Sequence, residues 1–246
     1  MSPYLFTRYI RPVLLAVSNS HVGCTIADTV INILAYADDI VLLAPSWRAL
    51  QHLISVLEAC CIQLDLTCNT KKTVCMVFAP CNKSRIVSDV FPNLVLCGQP
   101  LQFVSEFRYL GHIISNQNKD DSDIAREIRC MYTRVNMLIR KFHKCSTEVK
   151  IRLFRAYCIC LYGAALWTRF AAESLNKFRR CYHKCIKMFF GYSKYHSVTA
   201  VLVDLKLPSF NTIMHNLRHL YSAHWWSSGN MLIINLRNIG IVPVCS

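Results

Sequence analysis

The sequence predicts an α+β protein, with short β-hairpins and packed helices first and helices alone afterwards. Apolar runs rich in β-branched residues recur as far as residue 114, a pattern that favours strands. From Asp120 onward the apolar residues follow helical spacing instead, and basic residues accumulate between them. We therefore expect two parts, residues 1–117 and 118–246, with a junction in the polar run 115–119.

The first hairpin is the most clearly defined element of the sequence. Residues 29–36 and 40–44 are apolar and rich in β-branched side chains, and Ala-Asp-Asp at 37–39 separates them. Two such runs joined by a short polar spacer are typical of a β-hairpin. We expect the two carboxylates to lie at its tip.

Spacing and capping residues predict the other elements. A helix should begin after Ser46, and another after Asp120, where negative charge suits the positive end of the helix dipole. The remaining expected elements are a first helix from Ser2-Pro3 that Pro12 kinks or ends, a turn at 69–72, a strand at 73–79, a second hairpin at 93–104 extended by 107–114, and helices from Ser146 toward Trp167, from Ser174 toward Phe190 and from Thr212 to Trp225.

The net charge of +14 is concentrated in one region. Between Arg126 and Lys194 the sequence holds 16 basic and 3 acidic residues, and the rest of the chain is nearly neutral. On the first helix of this region the basic side chains lie off the apolar stripe; they are Arg126, Arg129, Arg134, Arg140 and Lys141. Such an excess indicates a polyanionic partner, most simply nucleic acid, although a solvated basic face or an anionic membrane surface would also account for it.

Composition excludes several other classes of protein. With 53% hydrophobic residues the chain can bury a core, which excludes wholesale disorder. The 14 cysteines include the adjacent pair Cys60 and Cys61 and no CxxC motif, so we interpret them as reduced thiols in a cytoplasmic or nuclear protein, not a secreted one. No stretch of 18 apolar residues occurs, and the run at 13–17 is too short for a signal peptide, so we expect no membrane partner.

The adjacent carboxylates Asp38 and Asp39 are the strongest candidate site. Carboxylates on a stiff element are typical ligands of hard divalent cations such as Mg²⁺, and two such ions can support phosphoryl transfer. The alternative is an ordinary acidic turn, because Asp is common in turns. The apolar strands on both sides favour the metal site, since exposed hairpins usually alternate polar and apolar residues.

These residues resemble the Tyr-x-Asp-Asp motif of reverse transcriptases. Residues 33–46, ILAYADDIVLLAPS, are similar to the form found in LINE-like (non-LTR) retrotransposons. Other segments resemble further motifs of the family in the expected order: residues 2–6 the end of the preceding motif, residues 69–73 and 76–78 the next palm motif, residues 107–111 the segment that grips the primer, and the helices after residue 118 the thumb and C-terminal region.

The resemblance implies a fold, a reaction and roles for residues. Residues 1–117 would form a partial polymerase palm and residues 118–246 a basic, thumb-like helical region. Asp38 would be the main ligand and Asp39 a supporting ligand of two Mg²⁺ ions in template-dependent nucleotidyl transfer. Lys72 would approach the triphosphate or pyrophosphate as a general acid, and Tyr36 would pack beside the nascent strand. The implied partners are an RNA template, a DNA primer and dNTP, with primer contacts from Tyr109, Leu110 and Gly111.

The same resemblance predicts that the chain is catalytically incomplete. Family members carry a further essential Asp and the fingers on segments that would precede residue 1, and Asp28 does not occupy that earlier motif. We therefore expect a family fragment that is inefficient or inactive alone. The leading alternative is a non-catalytic nucleic-acid-binding remnant that acts through the basic helical region. Without the resemblance, Lys72 is a solvated turn residue, and residues 109–111 are core and turn positions.

A third alternative is a zinc-binding helical module. Cys181 and Cys185, and His215 and His219, have helical i, i+4 spacing and would form a Cys₂His₂ site if their helices met. Because the sequence lacks a tight Cys-Cys knuckle, buried thiols and ordinary helix histidines explain the pattern better. We therefore do not expect zinc, and the sequence leaves the oligomeric state open.

Overall fold

The structure is a computed structural model that describes residues 3–26, 28–78 and 91–243. Two compact units account for it. The first contains the described residues of Met1–Ser105 and Gly229–Val242, and the second contains Glu106–Ser228 together with Pro243. Helices make up 53% and strands 13%, which confirms the α+β prediction. The predicted division at residue 117 into palm-like and thumb-like parts remains a prediction.

The first unit combines three helices with short strands. In chain order they are α1 (Pro3–Ser18), β1 (Cys24–Ile26), β2 (Thr29–Ile31), β3 (Ile33–Tyr36), β4 (Asp39–Leu42), α2 (Trp47–Gln63), β5 (Val74–Cys75), β6 (Val95–Leu96), β7 (Gln99–Pro100), β8 (Gln102–Phe103) and α8 (Met231–Asn238). The core forms where α1 packs on α2, and its buried residues are Ile10, Val13, Val17, Leu53, Leu57 and Cys61. Ser46 caps α2 as predicted, because its side chain accepts a hydrogen bond from the Ala49 N–H.

The predicted hairpin is present, but its first strand is shorter than expected. β3 and β4 pair antiparallel, with Ile33 opposite Leu42 and Tyr36 opposite Asp39. The segment 29–36 is interrupted at the buried Asn32, and β2 pairs with β1 instead.

Pro12 was predicted to kink or end the first helix; it does not end it, because α1 continues to Ser18. Proline removes one backbone hydrogen bond and disfavours helix at the preceding residue. Here Ile10, Val13 and Val17 are buried on both sides of Pro12, and this burial offsets the cost of the lost bond.

The second predicted hairpin differs from expectation in its pairing. β6 pairs antiparallel with β7 around a tight turn at Cys97 and Gly98, whose φ angles of 50° and 72° are left-handed. β8 pairs in parallel with β5 instead of continuing the hairpin. The strand predicted at 73–79 is reduced to β5, and its end at 79 lies outside the described residues.

The second unit is mainly helical. In chain order it contains β9 (Glu106–Tyr109), β10 (His112–Ser115), α3 (Asp121–Phe142), α4 (Thr147–Tyr157), a short 3₁₀ helix (Ala164–Leu166), α5 (Ala172–Phe190), α6 (Val198–Asp204) and α7 (Phe210–Ser227). α3 packs along α5, and α4 packs on both. The predicted start of α3 and the Ser146 cap of α4 are confirmed. α4 ends at Tyr157, well before the predicted Trp167, and α6 and α8 were not predicted.

β9 and β10 form a separate hairpin in the second unit and do not extend the second predicted hairpin. Tyr109 pairs with His112 across a two-residue turn. Leu110 and Gly111 in that turn have φ angles of 45° and 86°. Left-handed backbone costs a residue with a Cβ about 1–2 kcal/mol, so the turn stores strain at Leu110.

Candidate functional site

The carboxylates of Asp38 and Asp39 lie at the tip of the β3–β4 hairpin, exposed to solvent as the sequence predicted. Tyr36 is 65% exposed beside them. Ala37 begins the turn with a φ of 52°, a conformation that Ala adopts at a cost of about 1–2 kcal/mol. Backbone strain of this kind is concentrated at functional sites, where the surrounding structure holds it.

Asn32 ties the base of this hairpin to the core of the first unit. Its buried side-chain Nδ2 donates hydrogen bonds to the carbonyl oxygens of Val17 at 2.7 Å and Val22 at 2.9 Å. Its own carbonyl accepts from the Leu43 N–H at 2.9 Å, which extends the ladder of the hairpin. A Cβ at Gly23 would lie 2.5 Å from the Asn32 Cβ, so only glycine fits there. These contacts fix the direction of the hairpin relative to α1.

The donor atoms at the tip have the right chemistry for Mg²⁺, but they are too few for a complete site. Carboxylate oxygens are hard ligands of the type that Mg²⁺ prefers. Among the described residues, however, no group of three or more His, Cys, Asp or Glu side chains is placed to hold a metal ion. Asp38 and Asp39 alone fit one weakly held divalent ion better than a two-metal centre. The four residues of the zinc hypothesis, Cys181, Cys185, His215 and His219, are among the described residues and likewise do not form such a group.

Lys72 lies in the predicted turn after α2, with its side chain exposed. Its N–H donates to the Asn69 side-chain Oδ1 at 3.1 Å, and Thr73 Oγ1 donates to the Asn69 carbonyl at 2.8 Å. Asn69 therefore shapes the turn that presents the Lys72 side chain to solvent.

Tyr109, Leu110 and Gly111 form the turn region of the β9–β10 hairpin. The hydroxyl of Tyr162 donates to the Leu110 carbonyl at 3.0 Å. A Cβ at Gly111 would lie 3.1 Å from the Tyr162 ring. The turn therefore rests on a side chain from the segment that follows α4.

The five basic residues predicted on α3 have different surroundings. Arg129, Arg140 and Lys141 are exposed, as a nucleic-acid contact requires. Arg134 is half-buried and paired with an acid, and Arg126 is only 8% exposed. Because Arg126 is engaged inside the unit, we leave it out of the proposed contact surface.

The structure reveals a buried carboxylate, Asp123, that sequence reasoning missed. It is 2% exposed and accepts hydrogen bonds from Arg126 Nε at 2.6 Å, Trp167 Nε1 at 2.8 Å and the Ile113 N–H at 2.9 Å. His112 Nδ1 lies 3.1 Å from its second oxygen. Burial acts to raise the pKa of Asp123, but these donors, led by Arg126, outweigh burial and lower the pKa to about 2.

Glu127, the residue after Arg126, extends this network. Its carboxylate is fully buried and pairs with Arg126 Nη1 at 2.9 Å and Arg134 Nη1 at 2.8 Å. Two acids and two arginines therefore balance in charge inside the unit, as buried ions must. Their spacing of three, one and seven residues on one helix was the available signal, and Asp123 also has partners outside that helix, Trp167 and Ile113.

We expect the network to make stability depend on acidity. The pKa of Asp123 is about 2 in the folded chain and about 3.8 in the unfolded chain, so the group stabilises the fold above about pH 4. This contribution, about 2 kcal/mol, should be lost as the pH falls through 4 toward 2. Urea unfolding at several pH values should show a flatter acid dependence for Asp123→Asn than for the wild type. Parallel profiles for the two chains would contradict this assignment.

Comparison with known proteins bears on the first unit and the β9–β10 hairpin. Residues 1–114 match the family model of reverse transcriptase (RNA-dependent DNA polymerase). This reverse transcriptase match includes the carboxylate tip, the Lys72 turn and residues 109–111, and it ends within β10. Reverse transcriptases in general use divalent metal ions and bind template, primer and dNTPs. No curated protein matches the chain.

Within residues 3–26, 28–78 and 91–243, no helix has the length and apolar character that crossing a membrane requires.

Proposed function

We propose that the chain is part of an RNA-directed DNA polymerase of the LINE-like, non-LTR type, in which the β3–β4 tip supplies two ligands of the catalytic Mg²⁺ ions. The observation that carries this proposal is the position of Tyr36, Asp38 and Asp39 on one tight hairpin inside the family match. A third carboxylate, from outside the described residues, is needed to complete a two-metal centre. We therefore expect the chain alone to extend a primer inefficiently or not at all.

Each residue of the proposed site has a defined task. Asp38 and Asp39 hold the metal ion, which supplies electrostatic stabilisation of the transferring phosphoryl group when bound. Tyr36 lies beside the carboxylates as a platform for the nascent strand. Lys72, on its Asn69-shaped turn, is the proton donor and charge partner for the triphosphate.

Metal binding at the tip tests the first step of this proposal. Mn²⁺ should broaden the amide NMR signals of residues near 36–40 in the wild-type chain. The Asp38→Ala, Asp39→Ala double variant should lose this broadening while the signals of the α2 helix stay unchanged. Equal broadening in both chains would overturn the assignment of these carboxylates as ligands.

Primer extension tests the second step. The wild-type chain and the same double variant are compared on an RNA template with a DNA primer, dNTPs and Mg²⁺. If the wild-type chain extends the primer and the double variant does not, the result would support the polymerase assignment. It would also overturn the expectation that the chain alone is catalytically incomplete. Extension that both chains share would show that Asp38 and Asp39 do not serve the reaction.

A specific observation also favours the second candidate, nucleic-acid binding through the helical unit alone. On α3, Arg129 and Arg140 are exposed at positions that share one helix face. On the adjacent α5, Lys177, Arg180 and Lys184 are exposed, and the Lys184 ammonium lies 5.8 Å from the centre of the Tyr132 ring of α3. The two helices thus carry one basic surface.

Salt-dependent binding without nucleotide incorporation would favour this second candidate. Neutralising phosphates releases counterions, so affinity for an RNA–DNA duplex should fall linearly on a log–log plot against salt. Arg129→Ala with Arg140→Ala should reduce that slope by about 2 if each contacts one phosphate. An unchanged slope would exclude this face of α3 as the binding surface.

A further inference from the structure

Polar contacts attach the β9–β10 hairpin to the start of α3. Asp123 at the start of α3 accepts from the backbone N–H of Ile113 and contacts the His112 ring, so one carboxylate fixes two residues of β10. Ser122 Oγ donates to the Glu106 carboxylate at 2.5 Å, which fixes the start of β9. Both strands are therefore bound to the first turn of α3.

Tyr162, from the segment that follows α4, holds the turn itself. The Tyr162 ring stacks on the His112 ring with centres 5.0 Å apart, and its hydroxyl donates to the carbonyl of the strained Leu110. His112 in turn lies so close to Gly163 that a Cβ there would be 1.7 Å from the ring. Tyr162 thus stabilises a left-handed conformation at Leu110 that would otherwise be unfavourable.

The same helix start is bound to the segment before α5. The Asp120 carboxylate accepts from the N–H groups of Thr168 and Arg169 at 2.8 and 2.7 Å, and Trp167 donates to Asp123. The first turn of α3 is therefore bound both to the hairpin and to the segment before α5.

We infer that Asp123, His112 and Tyr162 are positioning residues that present the turn at residues 109–111 as part of the nucleic-acid surface of the helical unit. The inference rests on the proposed function, because that function supplies the nucleic acid. It adds that the turn belongs to the same folding unit as the basic residues of α3. Because the contacts of Asp123, His112 and Tyr162 fix the position of the turn before nucleic acid binds, they lower the ordering cost of binding.

Two variants of the full chain test this role. Tyr162→Phe removes one hydroxyl, keeps the ring stack and changes no charge, so we expect it to fold normally. Asp123→Asn removes an acceptor from a site that faces four donors, and it makes the chain more positive by one charge. The matched control is Glu148→Gln, which makes the same change of charge at an exposed pair with Arg152 on α4.

Hydrogen exchange measures the positioning without any nucleic acid. Amides of residues 107–114 should exchange about fivefold faster in Tyr162→Phe and at least tenfold faster in Asp123→Asn, whereas those of residues 129–140 should be unchanged in Tyr162→Phe. Glu148→Gln should leave residues 107–114 as in the wild type. Unchanged exchange of this segment in both network variants would overturn the positioning role.

Affinity for a fluorescein-labelled RNA–DNA hybrid tests whether the turn at 109–111 contributes to nucleic-acid binding. Charge alone predicts tighter binding by Asp123→Asn and by Glu148→Gln, since both gain positive charge. Positioning predicts the opposite for Asp123→Asn, about tenfold weaker binding, and about threefold weaker binding for Tyr162→Phe. Faster exchange with unchanged or tighter binding in both network variants would overturn the inference. Absence of binding by the wild-type chain would overturn the proposed function, and the exchange result would still decide whether the turn is held as described.

Discussion

Replacing Glu127 with alanine is expected to lower the free energy of unfolding of the second unit by about 3–5 kcal/mol. The carboxylate is fully buried and neutralises both Arg126 and Arg134. Without it, Arg134 can turn toward solvent, but Arg126 remains buried with Asp123 as its remaining acid, and a cavity is left. The urea concentration at which the buried thiols of Cys158 and Cys185 become open to alkylation measures this loss within the unit itself.

Two comparisons separate the causes of that loss. Glu127→Gln keeps the shape of the side chain and removes only its charge, so it should cost less than alanine but still exceed 1 kcal/mol. Glu148→Ala removes an acid of the same type from the exposed pair with Arg152 and should cost at most about 0.5 kcal/mol. Equal losses from Glu127→Ala and Glu148→Ala would show that the buried network does not stabilise the unit.

Replacing Gly163 with alanine is expected to cost about 3 kcal/mol. Its φ of 69° is left-handed, which costs alanine about 1–2 kcal/mol. The new Cβ would also lie 1.7 Å from the His112 ring, so the ring must move. That movement breaks the contact with Asp123 and the stack on Tyr162, which together contribute about 1–2 kcal/mol more.

Gly191 provides a matched control for this change. It ends α5 with a φ of 77°, and a Cβ there would meet nothing within 4 Å. Gly191→Ala should therefore cost only the backbone strain, about 1–2 kcal/mol. The urea concentrations at which the buried thiols become open to alkylation compare the two variants. Equal decreases in both would show that the His112 ring moves away from the new methyl group at no cost in stability.

Local pattern was sufficient to predict several parts of the fold. The β3–β4 hairpin followed from two apolar runs, rich in β-branched residues, on either side of Asp38 and Asp39. The starts of α2 and α4 followed from Ser46 and Ser146, whose hydroxyls accept from backbone N–H groups three residues later. These signals are contained within a few residues, so sequence alone can reveal them.

The features that were missed depend on tertiary contacts that local sequence pattern does not reveal. Arg126 was expected on the surface, because an isolated charge is costly to bury, yet it is neutralised by Asp123 and Glu127. Asp123 in turn depends on Trp167, 44 residues away. Pro12 was expected to kink or end α1, and the burial of Val13 and Val17 in the core with α2 explains why the helix continues. In the candidate site, the tip was predicted, whereas the attachment of the hairpin by Asn32 was not.

The border of the reverse transcriptase match does not coincide with a border between folding units. The match ends at residue 114, inside β10, while the second unit begins at Glu106. A chain shortened to the matched range would keep β9 and most of β10 but lose Asp123, Tyr162 and the first turn of α3, which hold them. A piece that preserves the turn at 109–111 in its native form therefore needs the helical unit Glu106–Ser228, which holds Asp123 and Tyr162, and not the matched range alone.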